Sequence, residues 1–413
     1  YLSPGDAGNY ITLPLGEGAP VFLAGSDFWV SISFVSTILY PMGCHNAPLT
    51  TTGRSFISQN DGVAWSPLVI SSTERAWLLR VVGTTYTPPL YSTVWERSRV
   101  TSNLPAWFGS GTERGIAFGY GGAAETNPRL YVASRNGGSV VKILDAGTGN
   151  DVGELNTTGI TGSYYTVCDI EVSEDNKIFV GSMTLNASTT VFKVYKYDTE
   201  TSTPVEVINT TITDAARLGD KITLVGNYSA GTAVLYAASA SVGVNKVYKW
   251  TMSGGVFNTA PEVITLSDNA TQVPTSACVT PLENGDFYFK ATGMDVKKYT
   301  ANGTLIASIP QTVVQSGANA IKYLGNKNNN EFFVVFQYGT TTENAKIVQV
   351  PVGDVPNAVV YATTPSLYNI ASGGTGDVAY RFYPDGTIDV FVLSSNNGIG
   401  CYKTVESIPV ELL

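Results

Sequence analysis

The chain has 413 residues, of which 43% are apolar and only 14% charged, with a formal net charge of −9. A large core is affordable and disorder is excluded, and an acidic chain without a Lys/Arg cluster argues against nucleic acid and anionic membranes as partners. Gly, Pro and Tyr number 42, 20 and 23, no helical period persists beyond about two turns, and no apolar run reaches the roughly 18 residues of a bilayer-spanning helix.

An all-β chain of short strands and tight turns is therefore expected. It opens at Tyr1, which reads as a processed or trimmed start of the kind a removed export signal leaves. Residues 1–95 predict a small β-sandwich, with strands at 10–15, 21–24, 28–34, 54–58 and 76–82 and a hairpin turn at 59–62. In the third of these, Phe28, Val30, Ile32 and Phe34 fall on one face and Trp29, Ser31 and Ser33 on the other. About six strands make an incomplete sandwich, whose open edge a strand from another chain could fill. The one histidine, His45, lies beside Cys44 in a turn-like segment and reads as a loop residue; no nucleophile elbow accompanies it. Pro88 and Pro89 mark the boundary, and residues 96–113 predict a linker or a ring-closing strand.

From residue 114 to 413 the chain repeats. Val194-Tyr195-Lys196-Tyr197 returns as Val247-Tyr248-Lys249-Trp250, with weaker copies beginning at Val141, Val296, Ile347 and Cys401. The spacings are 53, 53, 49, 51 and 54 residues, so one supersecondary unit recurs six times. Each unit reads as inner strand, Asx/Gly turn, apolar strand, loop, V-Y-K-Y strand, turn and outer strand. Four antiparallel strands in about 50 residues is a propeller blade. Six blades are predicted, or seven if residues 98–113 contribute strands.

Propellers bind ligands at the mouth of the central channel. Aligning the repeats puts Gly115, Asp169, Arg217, Cys278, Asn319 and Asp377 there. Asp169, Arg217, Asn319 and Asp377 could grip a sugar or a cation, or work as acid and base; capping of inner strands is the commoner role of such residues. Cys168, Cys278 and Cys401 fall in predicted strands, where a thiol acts as a small apolar group or pairs in a disulfide. With one histidine and no CxxC, no zinc site is expected. No cofactor is expected; structural calcium could sit at the turns holding Asp175 and Asp385, although turn capping is commoner there. Six Asn-x-Ser/Thr sequons (Asn156, Asn186, Asn209, Asn227, Asn269 and Asn302) would mark exposed loops in a eukaryotic secretory setting. The tyrosines of the V-Y-K-Y strands read as packing between blades.

The run Ser102-Asn103-Leu104-Pro105-Ala106-Trp107-Phe108-Gly109, with Arg114-Gly115-Ile116-Ala117 and Leu130-Tyr131-Val132-Ala133-Ser134-Arg135, resembles an uncharacterised family of secreted bacterial propellers of Bacteroidota and related phyla. The ending Ser407-Ile408-Pro409-Val410-Glu411-Leu412-Leu413 resembles a segment that precedes the sorting region of type IX-secreted proteins. Phe28 to Phe34, Tyr40-Pro41-Met42-Gly43 and Gly53-Arg54-Ser55-Phe56 resemble an accompanying sandwich module. The resemblance implies export to the cell surface or medium and a gene product that continues past Leu413; it carries no catalytic residue.

The leading expectation is thus a secreted, non-catalytic structural or adhesive protein that assembles with itself or with other surface proteins through the sandwich edge. The alternatives are a module that binds glycans or surface polymers at the channel mouth, and a propeller hydrolase or lyase using Asp169 and Asp377.

Overall fold

Asn-, Asp- and Gly-rich turns return the chain on itself every few residues, so successive strands pair antiparallel. At 282–286, for example, Asp286 O accepts from Leu282 N at 2.8 Å while Gly285 takes φ +88°, a conformation that needs no Cβ. The computed structural model describes residues 91–404 except 123, 163, 269–274 and 340, together with four two-residue strands between Phe56 and Glu74. The chain divides into two compact units, residues 1–88 and 89–413.

In the first unit β1 (Phe56–Ile57) pairs with β2 (Ser66–Pro67), and β3 (Val69–Ile70) with β4 (Thr73–Glu74), all antiparallel. The remainder of the expected sandwich, its open edge, His45 and Cys44 lie outside the described residues, as does the segment 407–413.

The second unit begins with β5 (Tyr91–Ser98). Blade 1 follows as β6 (Gly115–Gly121), β7 (Asn127–Ser134), β8 (Val140–Asp145) and β9 (Asp151–Glu154). Blade 2 is β10 (Tyr165–Val172), β11 (Ile178–Met183), β12 (Phe192–Tyr197) and β13 (Val205–Thr210). Blade 3 is β14 (Ile222–Val225), β15 (Val234–Ala238) and β16 (Lys246–Ser253), which pairs with both β17 (Val256–Phe257) and β18 (Glu262–Thr265). Blade 4 is β19 (Thr275–Pro281), β20 (Phe287–Thr292), β21 (Val296–Tyr299) and β22 (Leu305–Ile309). Blade 5 is β23 (Asn319–Lys327), β24 (Asn330–Tyr338), β25 (Glu343–Pro351) and β26 (Val359–Thr363). Blade 6 is β27 (Gly376–Phe382), β28 (Ile388–Ser394), β29 (Gly398–Thr404) and, as its outer strand, β5.

The inner strands β6, β10, β14, β19, β23 and β27 touch one another in cyclic order, with β27 against β6. The ring is a six-bladed β-propeller with no place for a seventh blade. Every V-Y-K-Y copy falls on the third strand of its blade. The strand that closes the ring is β5, antiparallel to β29 with Trp95 opposite Cys401. Residues 91–95 therefore belong to the propeller and not to the N-terminal module in which the sequence reading placed them. Trp95 also donates from Nε1 to Ala146 O of blade 1 at 2.8 Å, and Arg97 pairs with Asp151 of β9 at 3.2 Å. The closing strand thus joins the last blade to the first on both of its sides. The Leu104, Trp107 and Phe108 side chains of the following segment pack on the same seam.

A blade has two apolar faces, and closing the ring buries both. The core is accordingly six separate clusters, one at each interface between blades. Phe179, Phe192 and Trp250 lie between blades 2 and 3, Phe333 and Tyr288 between 4 and 5, and Phe332, Val334 and Tyr402 between 5 and 6. Tyr195, Tyr248, Tyr299 and Tyr402 of the repeat are buried there, with hydroxyls anchored at 2.7–2.9 Å on Thr161 O, Asp214, Asp268 and Glu96. Cys168, Cys278 and Cys401 are buried free thiols.

Candidate functional site

Each inner strand reaches its mouth-side turn with a small set of polar residues, and hydrogen bonds between blades show which of them are equivalent. Ile116 N donates to Asp377 Oδ2 at 2.8 Å, Ile222 N to Asp169 Oδ2 at 2.7 Å, and Ile321 N to Cys278 Sγ at 3.5 Å. Side chains of blades 6, 2 and 4 thereby pin the backbones of blades 1, 3 and 5. The residues preceding the aliphatic position are Gly115, Asp169, Lys221, Cys278, Ala320 and Asp377. Two of the residues expected at this level are displaced. Arg217 lies in the loop before β14, and Asn319 precedes a bulge in which Ala320 takes φ +42°. Lys221 and Ala320 stand in their places. The Lys221-Ile222 pair matches Asp169-Ile170 and Asp377-Val378, and anchoring the alignment on that aliphatic residue would have found it.

Lys221 of blade 3 crosses the ring. Its ammonium lies 3.0 Å from Asp377 Oδ2 of blade 6, directly opposite, and 3.4 Å from Asp169 Oδ1 of blade 2, and it donates to Arg114 O of blade 1. Two residues further along the inner strands a second cross-brace joins Lys322 of blade 5 to Glu171 of blade 2, again opposite blades. Thr223 and Thr280 complete this lower layer, Thr280 Oγ1 accepting from Tyr323 N at 2.8 Å. Gly115 has no side chain because Asp169 occupies the space: a Cβ there would come within 2.3 Å of Asp169 Oδ1.

The two layers hold three carboxylates against two ammonium groups. Burial raises the Asp169 carboxyl to about 6, against the pull of Lys221 and with the charge of Asp377 adding to it. Burial likewise pushes Glu171 up to about 8, only partly offset by Lys322. Lys221 is disfavoured as a cation by burial, but Asp169 and Asp377 outweigh that and raise its pKa.

Above the braces lies the mouth. Asp220 is buried and accepts from two arginines: Arg114 Nη2 at 3.0 Å and Arg217 Nε at 2.6 Å, with a second Arg217 N–H on the same carboxylate. Arg114 Nε also donates to Cys168 Sγ at 3.3 Å. The Arg135 guanidinium stacks 3.6 Å from the centre of the Tyr165 ring, which Arg114 approaches at 5.4 Å. Tyr164 stands beside Tyr165 with ring centres 4.5 Å apart and remains 54% exposed. With Thr184, Leu185 and Thr190 it lines an open depression of about 310 Å³. Asn319 does not join this group; its amide donates to Thr292 Oγ1 at 3.3 Å and to Gly374 O, and its Oδ1 is buried without a partner.

The four expected site residues thus separate. Asp169 and Asp377 meet under Lys221, Arg217 sits on the rim, and Asn319 ties blades 4, 5 and 6. Asp175 caps a neighbouring loop: burial would raise its carboxyl, but hydrogen bonds from Ser229, Ser173 and Tyr228 N lower it to about 2. Asp385 caps Thr387 in its own turn.

No protein-family model matches this chain, and no curated protein does either. Solved structures share the ring. A DUF4623 family protein from Bacteroides eggerthii is 15% identical with a TM-score of 0.57, over 79% of this chain and 78% of that one. At the level of fold this agrees with the propellers of Bacteroidota that the sequence resembles. An α-L-arabinofuranosidase from Fusarium graminearum is 10% identical, TM-score 0.48, over 73% of this chain and 95% of its own. The PQQ-bound aldose sugar dehydrogenase from Streptomyces coelicolor is 11% identical, TM-score 0.42, over 77% and 99%. These likenesses extend to the fold alone and assign no activity. They do correct one expectation. Rings of this kind occur in a glycosidase and a sugar dehydrogenase, so the lack of a familiar catalytic motif is no ground for calling the protein a non-enzyme. No helix among the described residues is long and apolar enough to cross a membrane.

Proposed function

We propose that the protein binds saccharide chains at the channel mouth, outside the cell, the setting its sequence resemblance implies. The observation that carries this reading is the half-exposed Tyr164 beside Tyr165, flanked by guanidinium groups and threonine hydroxyls. A flat aromatic face stacks on the apolar face of a sugar ring, while rim donors meet its hydroxyls. Arg217, with 26% of its side chain exposed, is the rim donor. In this reading Asp169 and Asp377 act from below. They hold Lys221 and the floor of the mouth in place and do not touch the ligand. Asn319 steadies the far rim.

The test is a glycan array followed by calorimetry on the hits, comparing the wild-type protein with Tyr164→Ala. Tyr164 makes no side-chain hydrogen bond among the described residues, so the variant keeps its fold. Loss of a stacking face should weaken binding about tenfold, the equivalent of about 1.4 kcal/mol. Hits untouched by Tyr164→Ala, or no hits at all, would remove the proposal.

A further inference from the structure

Resting on that saccharide-binding reading, we propose that the ligand is anionic: a carboxylate-bearing, uronate-type saccharide whose ring lies on Tyr164 and whose carboxylate meets Arg135 and Arg217.

The charges at the mouth are unevenly paired. Three guanidinium groups, of Arg114, Arg135 and Arg217, gather around the Tyr165 ring and Asp220, in a chain whose net charge is −9. Two carboxylates lie among them. Asp220 is shared by Arg114 and Arg217. Glu113 is buried and held by its own donors, Gly109 N at 3.2 Å and the hydroxyls of Thr112 and Ser134, both at 2.8 Å. Neither is paired with Arg135. That side chain donates from Nη2 to Gly111 O at 2.8 Å, its Nε is buried without a partner, and no described carboxylate forms an ion pair with it.

An arginine stacked flat on an aromatic ring keeps its N–H groups in the plane of the guanidinium, where they can meet a carboxylate edge-on. Arg135 and Tyr164 flank Tyr165 on the scale of one sugar residue. A neutral saccharide would leave Arg135 without a counter-charge in a half-buried place. A uronate supplies that charge and the ring face together.

The experiment is calorimetric titration of the full chain with three probes: oligogalacturonate, its fully methyl-esterified form, and a sulfated galactan oligosaccharide. Wild type, Arg135→Gln, Arg135→Lys and Tyr164→Ala are compared, each with its melting temperature. Oligogalacturonate should bind about tenfold or more tightly than its ester, because only the acid offers Arg135 a charge-assisted hydrogen bond. The difference should shrink as salt is raised. Arg135→Gln should remove that preference and Arg135→Lys should keep part of it. Equal binding of acid and ester, both weakened by Tyr164→Ala, would overturn the anionic ligand and leave saccharide binding standing. Binding of the sulfated probe alone would overturn the carboxylate. Failure of all three probes in wild type would overturn this inference, while hits on a neutral-glycan array would still uphold the broader reading.

Discussion

Lys221 is the residue on which the interior electrostatics of the ring turn. It is 4% exposed and faces Asp169 and Asp377, both more deeply buried still. Without its ammonium the two carboxylates would face each other with no cation between them, a situation that costs about 3–5 kcal/mol when one partner of a buried pair is removed. Lys221→Met should therefore lose about that much stability in urea titration. Lys221→Met/Asp377→Asn, which removes a charge of each sign, should recover a good part of it. A loss below about 1 kcal/mol in the single variant would show that the brace does not hold the ring. The place of Lys221 in the blade could be read from the aliphatic Ile222 that follows it, but its role could not, because a lysine before a short strand looks like any surface lysine and only the opposite blade shows what it faces. Asp169 and Asp377 were legible as inward-facing residues because they repeat at one position of the blade, but they lie in the brace below the mouth and not at the mouth itself.

At the scale of elements, the third strand of each blade was the most legible part of the chain. Its tyrosines and aliphatic residues must fill an interface between blades at a fixed place, so the pattern survives in every copy. The inner strands were less legible. The bulge at Ala320 and the long loop before Ile222 slip the register by one residue and by several, and a register slip changes which side chain faces the channel. The closing strand β5 carries no repeat signature because its partners, β29 and the hairpin of blade 1, lie at the other end of the chain and in the next blade. Its role gives a sharp expectation. A chain starting at Pro89 should melt as the propeller unit, whereas one starting at Thr101 should melt at a markedly lower temperature or fail to fold. The latter leaves the edge of β29 open and removes Trp95, whose loss alone is worth about 3–5 kcal/mol. Equal melting temperatures would show that β5 is dispensable.

At the scale of the whole molecule, the channel is closed by salt bridges between opposite blades, and this links stability to pH. Asp169 at about 6 and Glu171 at about 8 both hold protons more tightly in the folded chain than when unfolded. The folded state then binds more protons from about pH 4 upward, so stability falls as pH rises through that window. Asp175, lowered to about 2, loses its contribution only in stronger acid, outside that window; Lys290, lowered by burial to about 7, opposes the fall at its upper end, from about neutrality. The melting temperature should therefore be higher at about pH 5 than at about pH 6.5, and Glu171→Gln should flatten the slope. A rise in melting temperature over that interval would contradict the assignment of these two carboxyls.

The amino-acid sequence alone determined the class, the blade count and the strand order, since a period near 51 residues and alternating apolar positions follow from local chain geometry and from faces that every blade must bury. It also set an N-terminal module apart from the ring through the break in that period, with the boundary drawn at residue 95, inside the closing strand that begins at Tyr91. What only the tertiary structure decided is which residues meet: Lys221 with Asp377 and Lys322 with Glu171 across the axis, and Arg114 and Arg217 on one Asp220 at the rim. Apart from Arg217 and Asp220, which share a loop, these partners lie 106 to 156 residues apart, and nothing local to either one encodes the other. Contact across a closed ring is set by closure itself.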